Sequence, residues 1–266
     1  MTSMDAAVLV FADDGSPACD VAWLWVCNHQ WDRWRVEVMT ALPPAFPWHP
    51  DPERERPEQW TPPHPRGAFA QSHLSDVSHL SARTDPRAML DRRRDAQLLV
   101  VAPHGTGHLH QLLMGSTTDW LLHYSARPVA VIRTAARTEN VLVCDDGSVH
   151  ARTAAEVLAR LPWIADTNIT VLTVSDDGPS TPPEHSPIFD LLTATGATVD
   201  AEVRPYSEPT PTILEEIRDR HIDLVVMGTR GLTGWRRIRL GSTAGAVVRL
   251  APCSVLFAHA PDVDPM

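Results

Sequence analysis

The chain is 266 residues long, 43% hydrophobic and 21% charged, with 33 acidic residues against 23 Arg and no Lys, for a formal net charge of −10. That length suits two compact units better than one, and the composition is globular rather than disordered, collagen-like or disulfide-scaffolded. The missing lysine excludes P-loop phosphate binding and Schiff-base or pyridoxal chemistry, and the negative charge opposes a nucleic acid partner.

The N-terminus, Met1 to Asp5, has no basic stretch, and no apolar run nears the ~18 residues needed to span a bilayer, so neither export nor a membrane partner is expected. Cys19, Cys27, Cys144 and Cys253 are scattered without CxxC spacing and sit in apolar runs, which suits reduced, buried thiols and a cytoplasmic protein. An apolar run leads into Asp13-Asp14-Gly15-Ser16, and Trp23, Trp25, Trp31 and Trp34 follow on or near one helix as packing residues. Leu42 to Pro65 is too rich in proline for helix or central strand and reads as an extended surface loop. His104-Gly105, a nine-residue gap and Gly115-Ser116-Thr117 come next, then a strand over Val129 to Ile132.

After a junction near Thr134 to Glu139 the same order returns, as Asp145-Asp146-Gly147-Ser148 and then Arg230-Gly231, nine residues and Gly241-Ser242-Thr243. The chain therefore reads as two domains, 1–135 and 136–266. Val141 to Cys144 is a continuous apolar run, as in a strand covered on both faces, and Ser148 is a candidate N-cap for a helix carrying Ala154, Val157, Leu158 and Leu161. A strand over Ile169 to Val174, a loop over Asp176 to Pro187, a strand over Thr198 to Val203, a helical stripe of Ile213, Leu214 and Ile217, and a strand over Leu224 to Met227 follow. A helix with Ala244, Val247, Val248 and Ala251 then precedes the strand Ser254 to Ala258. This alternation predicts an α/β protein of two tandem, open, doubly wound parallel-sheet domains of Rossmann-like type, and as homologous domains in one chain they are expected to pack as a pseudo-twofold pair through their last strands, Pro128 to Ile132 and Ser254 to Ala258.

In such sheets ligands sit at the carboxyl ends of the strands, where helix N-termini point free amides. Gly228 and Gly231 are expected to let backbone approach a polyphosphate, and Gly241 with Ser242 to offer amides and a hydroxyl. Arg230, Arg236, Arg237 and Arg239 crowd one loop of a segment that from residue 136 holds 11 Arg and 18 acids. With the glycine frame around them, phosphate forks explain this better than a solvated loop face. Asp145 and Asp146 face the same crevice. On their own they are explained by a turn and a helix start. His104, His108, His110 and His123 lack a defined geometry with Cys or carboxylates, so no metal site made of protein side chains is expected. Gly105-Thr106-Gly107 lacks the third glycine and the first-strand position of a dinucleotide fingerprint.

The spacing Gly228-x-x-Gly231, nine residues, Gly241-Ser242 resembles the nucleotide motif of the ATP-binding universal stress proteins, and the two copies together resemble a tandem member of that family. The resemblance implies a regulatory adenine-nucleotide switch binding ATP with Mg, little or no catalysis, an unknown client protein and a possible homodimer. The alternatives are a weak Mg-dependent ATPase and a nucleotide-free interaction module. By position it implies a second-domain bed of Cys144, Asp145, Asp146, Val174, Met227, Gly228, Arg230, Gly231, Arg236, Arg237, Arg239, Gly241, Ser242 and Thr243. In the first domain the matching positions are Ala12, Asp13, Asp14, Ala41, Val101, Ala102, His104, Gly105, Gly115, Ser116 and Thr117. There Ala102 replaces the opening glycine and the loop carries no arginine, so tighter ATP binding is expected in the second domain.

Overall fold

The computed structural model describes residues 6–42, 74, 76–104, 114–175, 186–205, 207–229 and 240–260. Its first half runs β1 (Ala7–Ala12), α1 (Pro17–Asn28), β2 (Trp34–Leu42), β3 (Val77–Arg83), α2 (Pro86–Asp91), β4 (Leu98–Val101), α3 (Ser116–Tyr124) and β5 (Val129–Val131). The second runs β6 (Asn140–Cys144), α4 (Val149–Leu158), β7 (Asn168–Ser175), α5 (Pro187–Thr193), β8 (Thr198–Pro205), α6 (Pro209–Asp219), β9 (Leu224–Gly228), α7 (Ser242–Leu250) and β10 (Ser254–Ala258). Among the described residues no helix is long and apolar enough to cross a membrane.

The ten strands of the described residues join one sheet in the order β3-β2-β1-β4-β5-β10-β9-β6-β7-β8. Neighbours within each half are parallel. At the centre β5 and β10 meet antiparallel, with Val131 opposite Val255 and Val129 opposite Phe257. The last strands are thus the seam of the pseudo-twofold pair, as the sequence predicts. In each half the chain steps outward from β1 or β6 in one direction and from β4 or β9 in the other. This reversal opens a crevice at their carboxyl ends.

Side chains alternate across the pleat, so each central strand feeds two cores. Leu9, Phe11, Leu98 and Val143 pack with α1, α4 and α5, while Val10, Leu99, Leu142 and Val225 pack with α2, α3, α6 and α7. Helices on both faces explain why these strands read as unbroken apolar runs. All four tryptophans of the first group are buried, although Trp34 opens β2 instead of lying on the helix. Trp25 meets Trp163 of the second half edge to face, with ring centroids 5.8 Å apart.

Some boundaries differ from the periodic pattern. Helix α4 ends at Leu158, and Leu161 is buried just beyond it. Pro187 is not loop: it occupies the first turn of α5, whose N-cap Ser186 accepts a hydrogen bond from the Phe189 amide at 3.0 Å. Leu42 closes β2, and the proline-rich remainder of its segment lies outside the described residues, as does most of the stretch after Ser175.

Candidate functional site

The two Asp-Asp-Gly-Ser segments fold alike. In the first half Gly15 takes φ +74°, its N–H donates to Asp13 Oδ1 at 3.0 Å, and the Ser16 N–H donates to Asp14 Oδ1 at 2.9 Å. In the second half Gly147 takes φ +75°, and the matching bonds to Asp145 Oδ1 and Asp146 Oδ1 are 2.9 and 3.0 Å. Each serine then caps its helix, Ser16 Oγ accepting from the Cys19 amide at 3.2 Å and Ser148 Oγ from the Ala151 amide at 3.1 Å. The positive φ explains the glycine, and the Asx bonds explain the aspartates. One oxygen of each carboxylate therefore serves the turn. Asp13 and Asp145 are buried, whereas Asp14 and Asp146 are exposed at the crevice edge.

The glycine loops have matching necks. The Gly115 amide donates to Pro103 O at 2.8 Å, and the Gly241 amide donates to Thr229 O at 2.6 Å. Beyond each neck a helix starts without a side-chain cap, with Gly115 as N-cap of α3 and Gly241 as N-cap of α7. By contrast α1, α4 and α5 are all capped by serine hydroxyls. Uncapped first-turn amides carry the positive end of the helix dipole and suit an anionic ligand.

In the first half these parts enclose a cleft of about 480 Å³, a volume in the range of small-ligand sites, ~300–1,000 Å³. Ala12, Asp13, Asp14, Ala41, Val101, Ala102, His104, Gly115, Ser116 and Thr117, all singled out from sequence, line it together, while Gly105 lies outside the described residues. Sequence reasoning missed Cys19, Met39, Pro86, Met89, Leu90, Met114 and Thr118 in the same lining. Met39 was within reach of the β-strand period, since it lies two residues from Ala41 on one face of β2. Cys19 donates its thiol to Asp14 Oδ1 at 3.1 Å, and burial, reinforced by that carboxylate, pushes its pKa up to about 12. Thr118 Oγ1 donates to Ala102 O at 2.9 Å and fixes the start of α3 against the end of β4.

The second half places Cys144, Asp145 and Asp146 at the end of β6, Val174 near the end of β7, Met227 and Gly228 at the end of β9, and Gly241, Ser242 and Thr243 at the start of α7. Arg230, Gly231, Arg236, Arg237 and Arg239 lie outside the described residues. Gly228 has a reason other than access for phosphate. A Cβ there would stand 2.6 Å from Ala151 N and His150 C and 2.7 Å from His150 Cβ, so this glycine admits the backbone of α4. Small residues allow the approach: Ala151, Ala154 and Ala155 are buried where the repeat gives α1 Cys19, Ala22 and Trp23. In the first half Ala102 keeps its methyl group at the matching position, buried beside the cleft.

Among the described residues no group of His, Cys, Asp and Glu side chains could hold a metal ion. His104 lines the cleft, His123 on α3 hydrogen-bonds Asp119 O at 2.7 Å, and His108 and His110 lie outside the described residues.

A model of the universal stress protein family matches residues 8–133 and 190–259. A universal stress protein of Mycolicibacterium smegmatis is 29% identical over 191 residues, which span 64% of this chain and 64% of that protein. One of Methanocaldococcus jannaschii is 30% identical over 141 residues, 46% of this chain and 83% of that protein. The crystal structure of a universal stress protein from Archaeoglobus fulgidus DSM 4304 has the same fold, with a TM-score of 0.71 over 96% of this chain and 99% of that one at 19% identity. The second Asp-Asp-Gly-Ser turn falls between the matched segments yet repeats the hydrogen bonds of the first. With matches in both halves and a shared fold along its length, the chain belongs to the universal stress protein family.

Proposed function

We propose that each half, 1–135 and 136–266, binds an adenine nucleotide at the carboxyl edge of its sheet, and that the chain acts as a nucleotide-dependent regulatory switch read by a partner protein. The observation that carries this reading is the first-half cleft. It has an apolar side of Met39, Ala41, Met89 and Val101 suited to a base, and a polar end at Gly115, Ser116 and Thr117 where uncapped amides suit phosphates. Asp13 and Asp14 lie between these ends, as carboxylates able to accept from ribose hydroxyls. The donor set fits ATP without lysine, because backbone amides replace the ammonium group. A Mg ion would be held chiefly by the phosphates, as is usual for that cation. The second half repeats the turn, the neck and the uncapped helix, and its four loop arginines assign it the higher affinity.

The test is calorimetric titration of the full chain with ATP and Mg, comparing wild type with Ala41→Trp and Val174→Trp, each of which fills one crevice with an indole. Two sites are expected in wild type and one in each variant, with the tighter site lost in Val174→Trp. Unchanged stoichiometry in both variants would refute the assignment.

A further inference from the structure

A second cavity, of about 530 Å³, lies between the halves on the far side of His104 and Met114, which line both it and the cleft. Its floor is the end of β5 with Arg133. Its walls are the first turns of α1, with Pro17 and Ala18, and the end of α7, with Arg249 and Leu250. Among the described residues no Asp or Glu lines it, in a chain that carries a net −10.

Arg133 is the telling residue. Its Nη1 donates to Cys253 O at 3.3 Å, its Nη2 donates to Val248 O, and its own amide donates to Ser254 Oγ at 3.1 Å. Carbonyls satisfy donors but do not neutralise the charge, and no carboxylate pairs with Arg133 among the described residues. Burial pulls its pKa below the usual arginine range. Arg249 adds a second guanidinium. Its Nη2 reaches only an exposed carboxylate, Asp119, at 3.2 Å, and its Nη1 reaches Gly245 O at 3.4 Å.

The repeat tests whether the seam itself requires these arginines. Position 133 corresponds to His259 and position 249 to His123. His259 bonds the Thr229 hydroxyl at 2.7 Å, and His123 bonds its own helix. One side of the seam is therefore built without either guanidinium, so the arginines are a feature of this groove and not a demand of the fold.

We propose that this groove binds a phosphate-bearing anion between Arg133 and Arg249. Both guanidiniums line the groove, the N–H groups left over by the carbonyls and Asp119 suit phosphate oxygens, and an anion there supplies the counter-charge that Arg133 lacks. The anion is either a free polyphosphate or the distal phosphates of a molecule whose other end lies in the adjoining cleft. Only the second source rests on the nucleotide reading of that cleft.

Pyrophosphate is the probe, titrated calorimetrically into the full chain. Arg249→Glu and Leu250→Glu put a carboxylate on the groove wall without disturbing the bonds of Arg133, and each is expected to weaken pyrophosphate at least tenfold. Arg160→Glu makes the same charge change as Arg249→Glu at an exposed site just past the end of α4, outside the groove lining, and is expected to leave the affinity within twofold. If adenosine at saturating concentration leaves pyrophosphate binding intact and ATP is indifferent to Arg249→Glu, the anion is free. If ATP competes with pyrophosphate and weakens with it in Arg249→Glu, the anion is a ligand's tail. No binding of pyrophosphate to wild type at millimolar concentration would overturn the proposal. So would equal losses in Arg160→Glu, or a loss in Ser116→Glu at the cleft that exceeds the loss in Arg249→Glu.

Discussion

The backbone amide of Thr138, in the connection between the halves, donates to Nε2 of His29 at 3.0 Å, deep in the first half's tryptophan cluster. The other ring nitrogen, Nδ1, lies 2.7 Å from Trp25 O and carries the proton, while the Thr138 hydroxyl accepts from Trp25 Nε1 at 3.1 Å. Burial pulls the His29 pKa down from 6.5 to about 4, against the Trp25 carbonyl bond and with help from the Arg137 charge. In the unfolded chain His29 takes up a proton as pH falls through 6.5, whereas in the folded chain it refuses one until about 4. Stability is therefore expected to fall across that window by up to about 3 kcal/mol, with no loss from this group above it. Guanidinium unfolding at pH 7, 6, 5 and 4 checks this. His29→Gln keeps a non-titrating acceptor for Thr138 and is expected to flatten the decline by about one proton.

Gly228→Ala adds one methyl group against main-chain atoms at 2.6 Å, which no rotamer change relieves. The α4 helix has to shift, and a loss of about 2–3 kcal/mol is expected. Gly245→Ala is the contrast. The nearest described atoms to its methyl group belong to the side chains of Arg249 and Leu240, at 3.4 Å, and inside α7 alanine favours helix by ~1 kcal/mol over glycine. Thermal unfolding of the two variants should move in opposite directions, and equal destabilisation would show that the approach of α4 is not what Gly228 serves.

Local signals were legible in the sequence and close approaches were not. The Asp-Asp-Gly-Ser turns, the serine caps and the glycine necks are encoded within a few residues, so their repetition was enough to set them at the strand ends. The β5–β10 seam matches the expectation that two homologous domains in one chain pack through their last strands. The sequence points to Gly228 only as room for phosphate, because its close neighbour, the first turn of α4, lies nearly 80 residues away and approaches through the small side chains of Ala151, Ala154 and Ala155. Met89 and Leu90 were invisible for a related reason. They carry no pattern of their own along the chain, and only the packing of α2 beside β2 brings them to the cleft wall. The inter-half groove joins residues from Pro17 to Pro252, which no pattern along the chain relates.

Three thiols are expected to stay silent in the folded protein. Burial raises Cys19 and Cys144 to about 12 and Cys253 to about 11, with Asp14 adding to the first and Asp146 to the second. At pH 8 roughly one thiol in a thousand or fewer is ionised at each, and thiolate is the reactive form. Labelling with an aromatic disulfide reagent, located by peptide mass spectrometry, should leave these three unmodified on a timescale of minutes until denaturant is added. Rapid labelling of Cys19 in the native state would mean that the floor of the cleft opens to solvent.

Glu216 is buried on α6 and sits between two arginines. Its Oε1 accepts from Arg204 Nε at 2.8 Å and Nη2 at 2.6 Å, and its Oε2 accepts from Arg220 Nε at 2.6 Å. Burial alone would raise its pKa, but the bonds from Arg220 and Arg204 outweigh burial and hold it below the usual carboxylate range. Its contribution is thus complete above the unfolded value near 4.5 and lost as pH falls toward the lower folded value, a window that begins where most of the His29 loss has already occurred. Both arginines also reach Glu202, at 2.8 and 2.6 Å, and are partly exposed, so removing Glu216 does not strand them. Glu216→Ala is expected to cost only about 1–2 kcal/mol at pH 7. Glu216→Gln should cost less at pH 7 and show a shallower decline below pH 4.5. If the Gln variant instead declined more steeply than wild type in that range, the pair with Arg220 and Arg204 would not be what keeps Glu216 charged.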